Sequence, residues 1–321
     1  MKIVKKTLFF SLSVLLGLVF FVLAFRKAGL VNVAEVLNGL IWWQLLVLSG
    51  VTILIVLAGA GCWAWVLKFF GEKLTFKTLL SSLLAGMAIS NLTPAMGIGG
   101  EPAQYLLAKR EARKKKNLIA SMVIDKLLYG TINYLLVVAG AFLLALNIPL
   151  PFKIKWLIIL FLFTVAALGG FFYFNIFKNR KFIGKINHHL LAALERRMHR
   201  FFRWKNPYLW GLVGFSFFRA LLFVLRFYLL VAFFGVFLSF EELFLIIGVL
   251  LLTGMLPIPS TLGVFELSQA LVFEALNLSG TLGVSMILVM RFFDLIIVGL
   301  GLSVLFKQSF KSIRMFFRQL G

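Results

Sequence analysis

The sequence predicts an all-α polytopic membrane protein with six full transmembrane helices and two re-entrant helical hairpins in inverted-topology repeats. Three observations support this class. The 321-residue chain is 62% hydrophobic and only 14% charged, with a mean hydropathy of +1.03. It contains six uninterrupted apolar runs, and two further apolar stretches are interrupted by Pro and Gly. Soluble domains are about half apolar and about a quarter charged, so the composition excludes a water-soluble enzyme.

Six apolar runs are long enough for a membrane helix, which needs about 20 residues. They cover residues 7–25, 41–67, 118–146, 154–177, 207–234 and 281–306. The first run follows MKIVKK, as the apolar region of a secretory signal would. It is too long for a signal peptide and no small-residue cleavage site ends it, so we interpret it as an uncleaved span.

The basic residues predict how these spans are oriented. Lys and Arg number 33 against 11 Asp and Glu, a net charge of +22. Most of them lie in five clusters, at residues 2–6, 68–77, 109–116, 178–205 and 307–318. Because loops on the cytoplasmic side are enriched in Lys and Arg, we assign all five clusters to that side of the plasma (inner) membrane, which makes both termini cytoplasmic. The stretches 78–107 and 243–276 must then each enter and leave on one side, as re-entrant hairpins.

The two interrupted stretches resemble each other. PAMGIGGEPAQYL at 94–106 aligns with PSTLGVFELSQAL at 259–271, with Pro, Glu and Gln at equal spacing. The aligned residues are Pro94, Glu101 and Gln104 in the first copy and Pro259, Glu266 and Gln269 in the second. We therefore predict a first repeat over 41–146 and a second over 207–306, inserted from opposite sides as in many secondary transporters. A chance alignment of two broken helices is the alternative.

Each hairpin contains a break from which a new helix is expected to start deep in the membrane, after Gly100 in the first and after Thr261 in the second. Helix N-termini carry unpaired N–H groups and the positive end of the helix dipole, so two of them together favour an anion such as a lipid phosphate. Alternatively, Glu101 and Glu266 cap these N-termini themselves, and the breaks are purely structural.

Charged residues inside the full spans are the second signal, because each costs about 3 kcal/mol when placed unpaired in lipid. They are Asp125, Lys126, Arg219, Arg226, Arg291 and Asp294. Arg219 and Arg226 are two helical turns apart and share a face, and Arg291 and Asp294 are close enough to pair. These charges either guide a phosphate across the membrane or form ion pairs that hold the helices together.

The remaining features predict no chemistry. The segment 178–206 has apolar residues at helical spacing and is predicted to be an interfacial amphipathic helix, with His188, His189 and His199 in solvent. Cys62 is expected to be a small buried hydrophobic residue. We expect no metal site, no cofactor and no catalytic activity, and beside a membrane the basic run KREARKKK indicates anionic lipid rather than nucleic acid.

Four motifs occur in the order NLTPAMGIGGEPAQYLL, VIDKLLYG, LPIPSTLGVFELSQAL and the span containing Arg291. Together they resemble the transmembrane region of lysylphosphatidylglycerol synthases and its stand-alone flippase-like relatives. The resemblance extends over essentially the whole chain. It implies a single flippase-like membrane domain over 1–321 that moves a lipid or a lipid-linked head group between leaflets. The sequence ends at Gly321, so no soluble aminoacyltransferase domain and no lipid synthesis are expected.

These observations lead to one main hypothesis, a lipid flippase with a midplane site between the two hairpins. The predicted substrate-binding and translocation residues are Asn91, Pro94, Gly99, Gly100, Glu101, Gln104, Asp125, Lys126, Arg219, Arg226, Pro257, Pro259, Gly263, Glu266, Gln269, Arg291 and Asp294. The expected partners are membrane lipids, either an anionic phospholipid or a lipid-linked head group, with a homo-oligomer or a membrane enzyme left open. The alternatives are a small-solute or ion transporter and a non-catalytic partner of a lipid- or glycan-modifying enzyme.

Overall fold

A computed structural model of the chain describes residues 2–93, 99–147, 163, 189–256, 258 and 261–319, and this part contains helices and no strands. The helices are α1 (Lys2–Ala28), α2 (Leu30–Asn38), α3 (Trp42–Phe69), α4 (Phe76–Leu92), α5 (Glu101–Ala108), α6 (Lys115–Asn147), α7 (His189–Phe201), α8 (Pro207–Phe233), α9 (Phe240–Thr253), α10 (Val264–Ala275) and α11 (Gly280–Gln319). The predicted all-α class is confirmed for these residues.

Four helical segments are long and apolar enough to cross a membrane. They are Trp42–Phe69, Lys115–Leu143, Pro207–Phe233 and Gly280–Lys307. A fifth candidate is the pair Leu15–Ala28 and Leu30–Asn38, which bends by 77° at Gly29, where φ is +77°. The chain is therefore a multi-pass membrane protein.

The predicted spans agree with these helices over most of the chain. The runs 41–67, 118–146, 207–234 and 281–306 coincide with the four long helices, and 7–25 lies within α1. The run 154–177 lies outside the described residues except for Phe163. Large apolar side chains such as Leu46, Phe217 and Leu295 are exposed on the long helices, as expected where lipid is the solvent.

The chain divides into two compact units. Unit 1 comprises Met1–Ser49, Thr75–Arg110 and Leu252–Gly321. Within it, α11 packs against α1, α2, α4 and α10. A small core of Ala24, Ala28, Val33, Ala270 and Val284 lets these helices approach closely, which is the packing that small residues allow inside a membrane.

Unit 2 comprises Gly50–Leu74 and Glu111–Leu251. Its core contains Cys62, which is fully buried as predicted, together with Val66, Ile124 and Leu212. Phe201 of α7 is also part of this core, so the apolar face of α7 packs against other helices of the unit.

The prediction that His199 of α7 is solvated is wrong. Its side chain is only 10% exposed, and its Nε2 lies 4.0 Å from Glu195 Oε1, one helical turn away. The reason is that α7 turns its apolar face toward the core of unit 2, where Met198 and Phe201 are buried. The neighbouring His199 is thereby partly covered as well. His188 lies outside the described residues, and the side chain of His189 is not described.

Candidate functional site

The first helix break joins α4 to α5 in unit 1, and glycine makes it possible. The Gly100 N–H donates to Ser90 Oγ at 2.9 Å, and a Cβ on Gly100 would overlap the carbonyl of Gly86. Helix α5 begins at Glu101, directly after Gly100 as predicted, with Pro102 in its first turn. Because α5 packs back against α4, the two helices form a hairpin, and Gly100 and Gly86 allow their backbones to touch.

The second helix break precedes α10 and also lies in unit 1. Thr261 has φ +49° and Gly263 has φ +76°. A Cβ on Gly263 would overlap the carbonyl of Gly17 in α1. The expectation that a helix begins directly after Thr261 is corrected here, because α10 starts at Val264. The left-handed conformations of Thr261 and Gly263 cannot belong to a right-handed helix.

An ion pair joins α10 to α11 beside this break. Arg291 Nε donates to Glu266 Oε1, and Arg291 Nη2 donates to Glu266 Oε2 at 3.0 Å and to the Thr261 carbonyl at 3.1 Å. The Glu266 side chain is completely buried, whereas that of Arg291 is 17% exposed. Two parallel N–H···O bonds are the strongest geometry for such a pair. Both carboxylate oxygens of Glu266 are thus engaged by Arg291.

Helix α11 contacts α4 and α10 through small residues. A Cβ on Gly301 would overlap the Leu84 carbonyl of α4, and a Cβ on Gly283 would lie 2.6 Å from the Gln269 carbonyl of α10. Gly283 and Gly301 are 18 residues apart, which is about 27 Å along a helix. Arg291 lies between them on α11. Along the candidate membrane span Gly280–Lys307 of α11, the contact with α10 at Gly283 thus lies near one end, the contact with α4 at Gly301 near the other, and Arg291 in between.

A second charged cluster lies in unit 2. The Arg219 guanidinium of α8 stacks over the Tyr129 ring of α6 at 3.8 Å. Asp125, one helical turn before Tyr129, is 5% exposed and interacts electrostatically with Arg219. Gly59 of α3 is also close, since a Cβ there would lie 3.1 Å from Arg219 Cζ. We call Asp125, Tyr129 and Arg219 the α6–α8 cluster.

The α8 arginine two turns further along is tied to α3. Arg226 is buried, and its Nη1 donates to Thr52 Oγ1 at 3.4 Å. As predicted from their spacing, Arg219 and Arg226 both point into unit 2. They contact different partners there, since Arg219 stacks on a ring and Arg226 reaches a hydroxyl.

The sequence analysis missed a buried glutamate in unit 2. Glu72 accepts from the backbone N–H groups of Arg113 and Lys114 at 2.8 and 3.1 Å, and from Asn117 Nδ2 at 3.0 Å. Arg197 Nε of α7 in turn donates to Asn117 Oδ1 at 2.7 Å. Its sequence signal is a lone acidic residue between the basic residues Lys68 and Lys73. Glu72 fixes the start of α6 and links it to α7.

The structure brings some of the predicted site residues together and leaves others apart. Arg291 contacts Glu266, Gly100 and Gln104 both pack on Gly86, and Asp125 lies with Arg219. Of the others, Asn91 is half-buried in the last turn of α4, Gly99 precedes Gly100, Glu101 begins α5, Lys126 is exposed on α6, Gln269 is buried on α10, and Asp294 is half-buried on α11. Pro94, Pro257 and Pro259 lie outside the described residues.

Comparison with known proteins identifies a family. The family described as the lysylphosphatidylglycerol synthase TM region matches residues 9–301. The chain is similar to the UPF0104 membrane protein MJ1595 of Methanocaldococcus jannaschii, with 27% identity over 252 residues that cover 71% of this chain and 74% of that protein. No solved structure gives a significant match.

Proposed function

The chain belongs to the family of the lysylphosphatidylglycerol synthase TM region, and from this premise we propose that it is a lipid flippase that moves a phospholipid or a lipid-linked head group between leaflets. The proposal includes six full spans and two re-entrant hairpins, repeats at 41–146 and 207–306, an interfacial linker at 178–206, and both termini on the cytoplasmic side of the plasma membrane. Its partners are membrane lipids. It is a transporter without catalytic activity.

One observation carries the proposal, the buried pair of Arg291 and Glu266 beside a broken helix. A charge inside a membrane segment is costly and typically marks a substrate or ion pathway. Here the cation is held against a carboxylate and against the carbonyl of Thr261, whose left-handed backbone is strained. Such strain clusters at sites where the conformation serves the mechanism.

The chemistry of this pair suits a passing phosphate. In the resting state the two charges neutralise each other, which offsets part of the free energy needed to remove them from water. A lipid phosphate is also an anion and forms the same charge-assisted hydrogen bonds with a guanidinium. It therefore competes with Glu266 for Arg291, and Glu266 recovers the arginine when the lipid leaves. The N-termini of α5 and α10 add positive dipole ends on the same unit.

The repeat arrangement supports the same function. Each predicted repeat supplies one of the helices that begin at a break, α5 in the first and α10 in the second. Inverted repeats place substrate sites at discontinuous helices near the midplane. Because α10 and α4 contact α11 at Gly283 and Gly301, near opposite ends of the candidate span Gly280–Lys307, Arg291 lies at an intermediate position along that span, and we place the crossing head group there.

Leaflet exchange in proteoliposomes tests the proposal. The lipid panel comprises zwitterionic, anionic, aminoacylated and polyprenyl-phosphate head groups, each labelled. Arg291→Lys keeps the charge but loses the two parallel hydrogen bonds, and we expect it to slow exchange about tenfold or more. Glu266→Gln and Glu101→Gln are measured in the same exchange assay. Lys27→Gln is the matched control, because Lys27 and Glu274 form a partly exposed ion pair in the same unit.

The result separates the flippase from its alternatives. Exchange that depends on the head group, is slowed in Arg291→Lys and is unchanged in Lys27→Gln supports the flippase. Wild-type rates in Arg291→Lys and Glu266→Gln would show that the pair is only structural. If the folded wild type moves no lipid, solute uptake and co-purification with a membrane enzyme become the next measurements, for a small-solute transporter and an enzyme partner respectively.

A further inference from the structure

The α6–α8 cluster of unit 2 differs from an ordinary buried ion pair because some of its charged groups' atoms form no hydrogen bond within the described residues. Asp125 Oδ1 and Arg219 Nε are both buried, and neither has a hydrogen-bond partner within the described residues. The two groups nevertheless interact electrostatically. A purely structural pair is expected to close its hydrogen bonds, since an unused buried charge is expensive.

A third polar atom extends the cluster along α6. Asp125, Tyr129 and Asn133 are spaced four residues apart and therefore share one helix face. Asn133 Oδ1 is also buried with no hydrogen-bond partner in the part of the chain that the structure describes. Asp125 and Asn133 thus provide two acceptor atoms on the same face, separated by the ring of Tyr129.

The arginine of the cluster is held in one position. Its guanidinium lies 3.8 Å from the centre of the Tyr129 ring, and Gly59 leaves just enough room beside it, because a Cβ there would lie 3.1 Å from Arg219 Cζ. Arg219 and Tyr129 are partly exposed, whereas Asp125 is 5% exposed. The guanidinium is therefore already oriented, and binding of a ligand loses little side-chain entropy.

We propose that Asp125, Tyr129 and Arg219 bind the head group of a zwitterionic phospholipid, with a phosphate oxygen at Arg219 Nε and the ammonium at Asp125 Oδ1. This inference rests on the proposed flippase function and specifies its substrate class. A zwitterion is the one charge pattern that satisfies both unused groups.

The cluster disfavours other head groups. An anionic phosphoglycerol head group would bind Arg219 but leave Asp125 as an unpaired negative charge beside it. A purely cationic ligand would satisfy Asp125 and leave Arg219 without an acceptor. Groups that a ligand leaves buried and unpaired are what produces discrimination in a binding site. The cations that interact electrostatically with Asp125 are Arg219 of α8 and its sequence neighbour Lys126. The Cys62 thiol also interacts with Asp125.

The test compares two labelled lipids with identical acyl chains, phosphatidylethanolamine and phosphatidylglycerol, in proteoliposomes that contain the full chain. We expect the wild type to exchange phosphatidylethanolamine faster. Asp125→Asn, which keeps the shape, should slow that lipid about tenfold, the factor for losing one charge-assisted hydrogen bond, and leave phosphatidylglycerol unchanged or faster. Arg219→Lys should slow both lipids, and Lys27→Gln should change neither.

A binding measurement keeps the inference separate from the transport proposal. In detergent, short-chain phosphatidylethanolamine should raise the Tm of the wild type more than short-chain phosphatidylglycerol, and this difference should disappear in Asp125→Asn. If no lipid moves but the Tm difference is found, the flippase proposal fails and the head-group site stands. If lipids move and both variants keep the wild-type ratio of the two rates and Tm shifts, the cluster is a structural ion pair and the inference is wrong.

Discussion

Two arginines, one in each compact unit, are accommodated in opposite ways. In unit 1, Arg291 donates two parallel hydrogen bonds to Glu266 and a further one to the carbonyl of Thr261. We call this a closed pair. In unit 2, Arg219 is stacked on Tyr129 with Asp125 nearby, while Arg219 Nε and Asp125 Oδ1 have no hydrogen-bond partner among the described residues. The first pair forms its hydrogen bonds within the protein, whereas the second is proposed to complete them with a ligand.

This difference teaches what each charge contributes. A closed pair lowers the free energy of the folded state only while both partners are present, since removal of one leaves a buried charge. An open cluster is already missing part of its hydrogen bonding, so it has less to lose in stability and more to gain from a ligand. Substitutions in the closed pair should therefore have the larger effect on stability, and substitutions in the open cluster the larger effect on head-group selectivity.

The largest expected effect is the loss of stability in Arg291→Ala. The change leaves Glu266, which is completely buried, without its counter-charge, and we expect the free energy of unfolding to fall by about 3–5 kcal/mol. Thermal unfolding in detergent measures it. Arg291→Met combined with Glu266→Leu, which removes both charges, should recover most of the loss. A single variant as stable as the wild type would contradict the description of this pair as closed.

The next effect concerns how α11 packs in unit 1. Gly301→Ala places a Cβ against the Leu84 carbonyl and the Ala88 side chain, so we expect it to cost about 1–3 kcal/mol from overpacking. Gly299→Ala is the matched control on the same helix, because nothing lies within 4 Å of its Cβ position. It should stabilise the helix by up to about 1 kcal/mol. Equal Tm values for the two variants would argue against the close approach of α4 and α11.

Asp125→Asn should have a smaller effect on stability than Arg291→Ala. Its partner Arg219 is partly exposed and keeps its contact with Tyr129, so we expect a loss of no more than about 1–2 kcal/mol. Thermal unfolding of the two variants under identical conditions makes the comparison directly. A loss as large as that of Arg291→Ala would mean that Asp125 is the closed partner of Arg219, and the contrast between the two sites would disappear.

The sequence predicted more of the fold than of the contacts, for physical reasons. Spans could be predicted because lipid demands long apolar segments, and the start of α5 at Glu101 could be predicted because Gly100 marks it. The pairing of Glu266 with Arg291 was not predicted, because Glu266 is 25 residues away and is brought near only by the packing of α10 on α11.

Two other residues show the same limit. Glu72 is a single acidic residue in a basic region, and nothing local indicates that it accepts hydrogen bonds from residues about 40 positions later. The burial of His199 depends on the core that α7 joins in unit 2. Hydropathy predicts which segments lie in lipid, but it does not predict which polar groups meet, because that depends on helix rotation and packing.

The smallest expected effect is also the most specific test of the open cluster. In Gly59→Ala the new Cβ would lie 3.1 Å from Arg219 Cζ, so the guanidinium must shift by a few tenths of an ångström from its position over Tyr129. We expect little change in Tm, since the methyl group also favours the helix by up to about 1 kcal/mol. The preference for phosphatidylethanolamine over phosphatidylglycerol should fall about two- to threefold, because Nε is no longer aligned with the phosphate. Gly61→Ala, with nothing within 4 Å of its Cβ position, is the control and should keep the wild-type preference. If both variants keep it, the position of the guanidinium does not determine selectivity, and Arg219 contributes only charge.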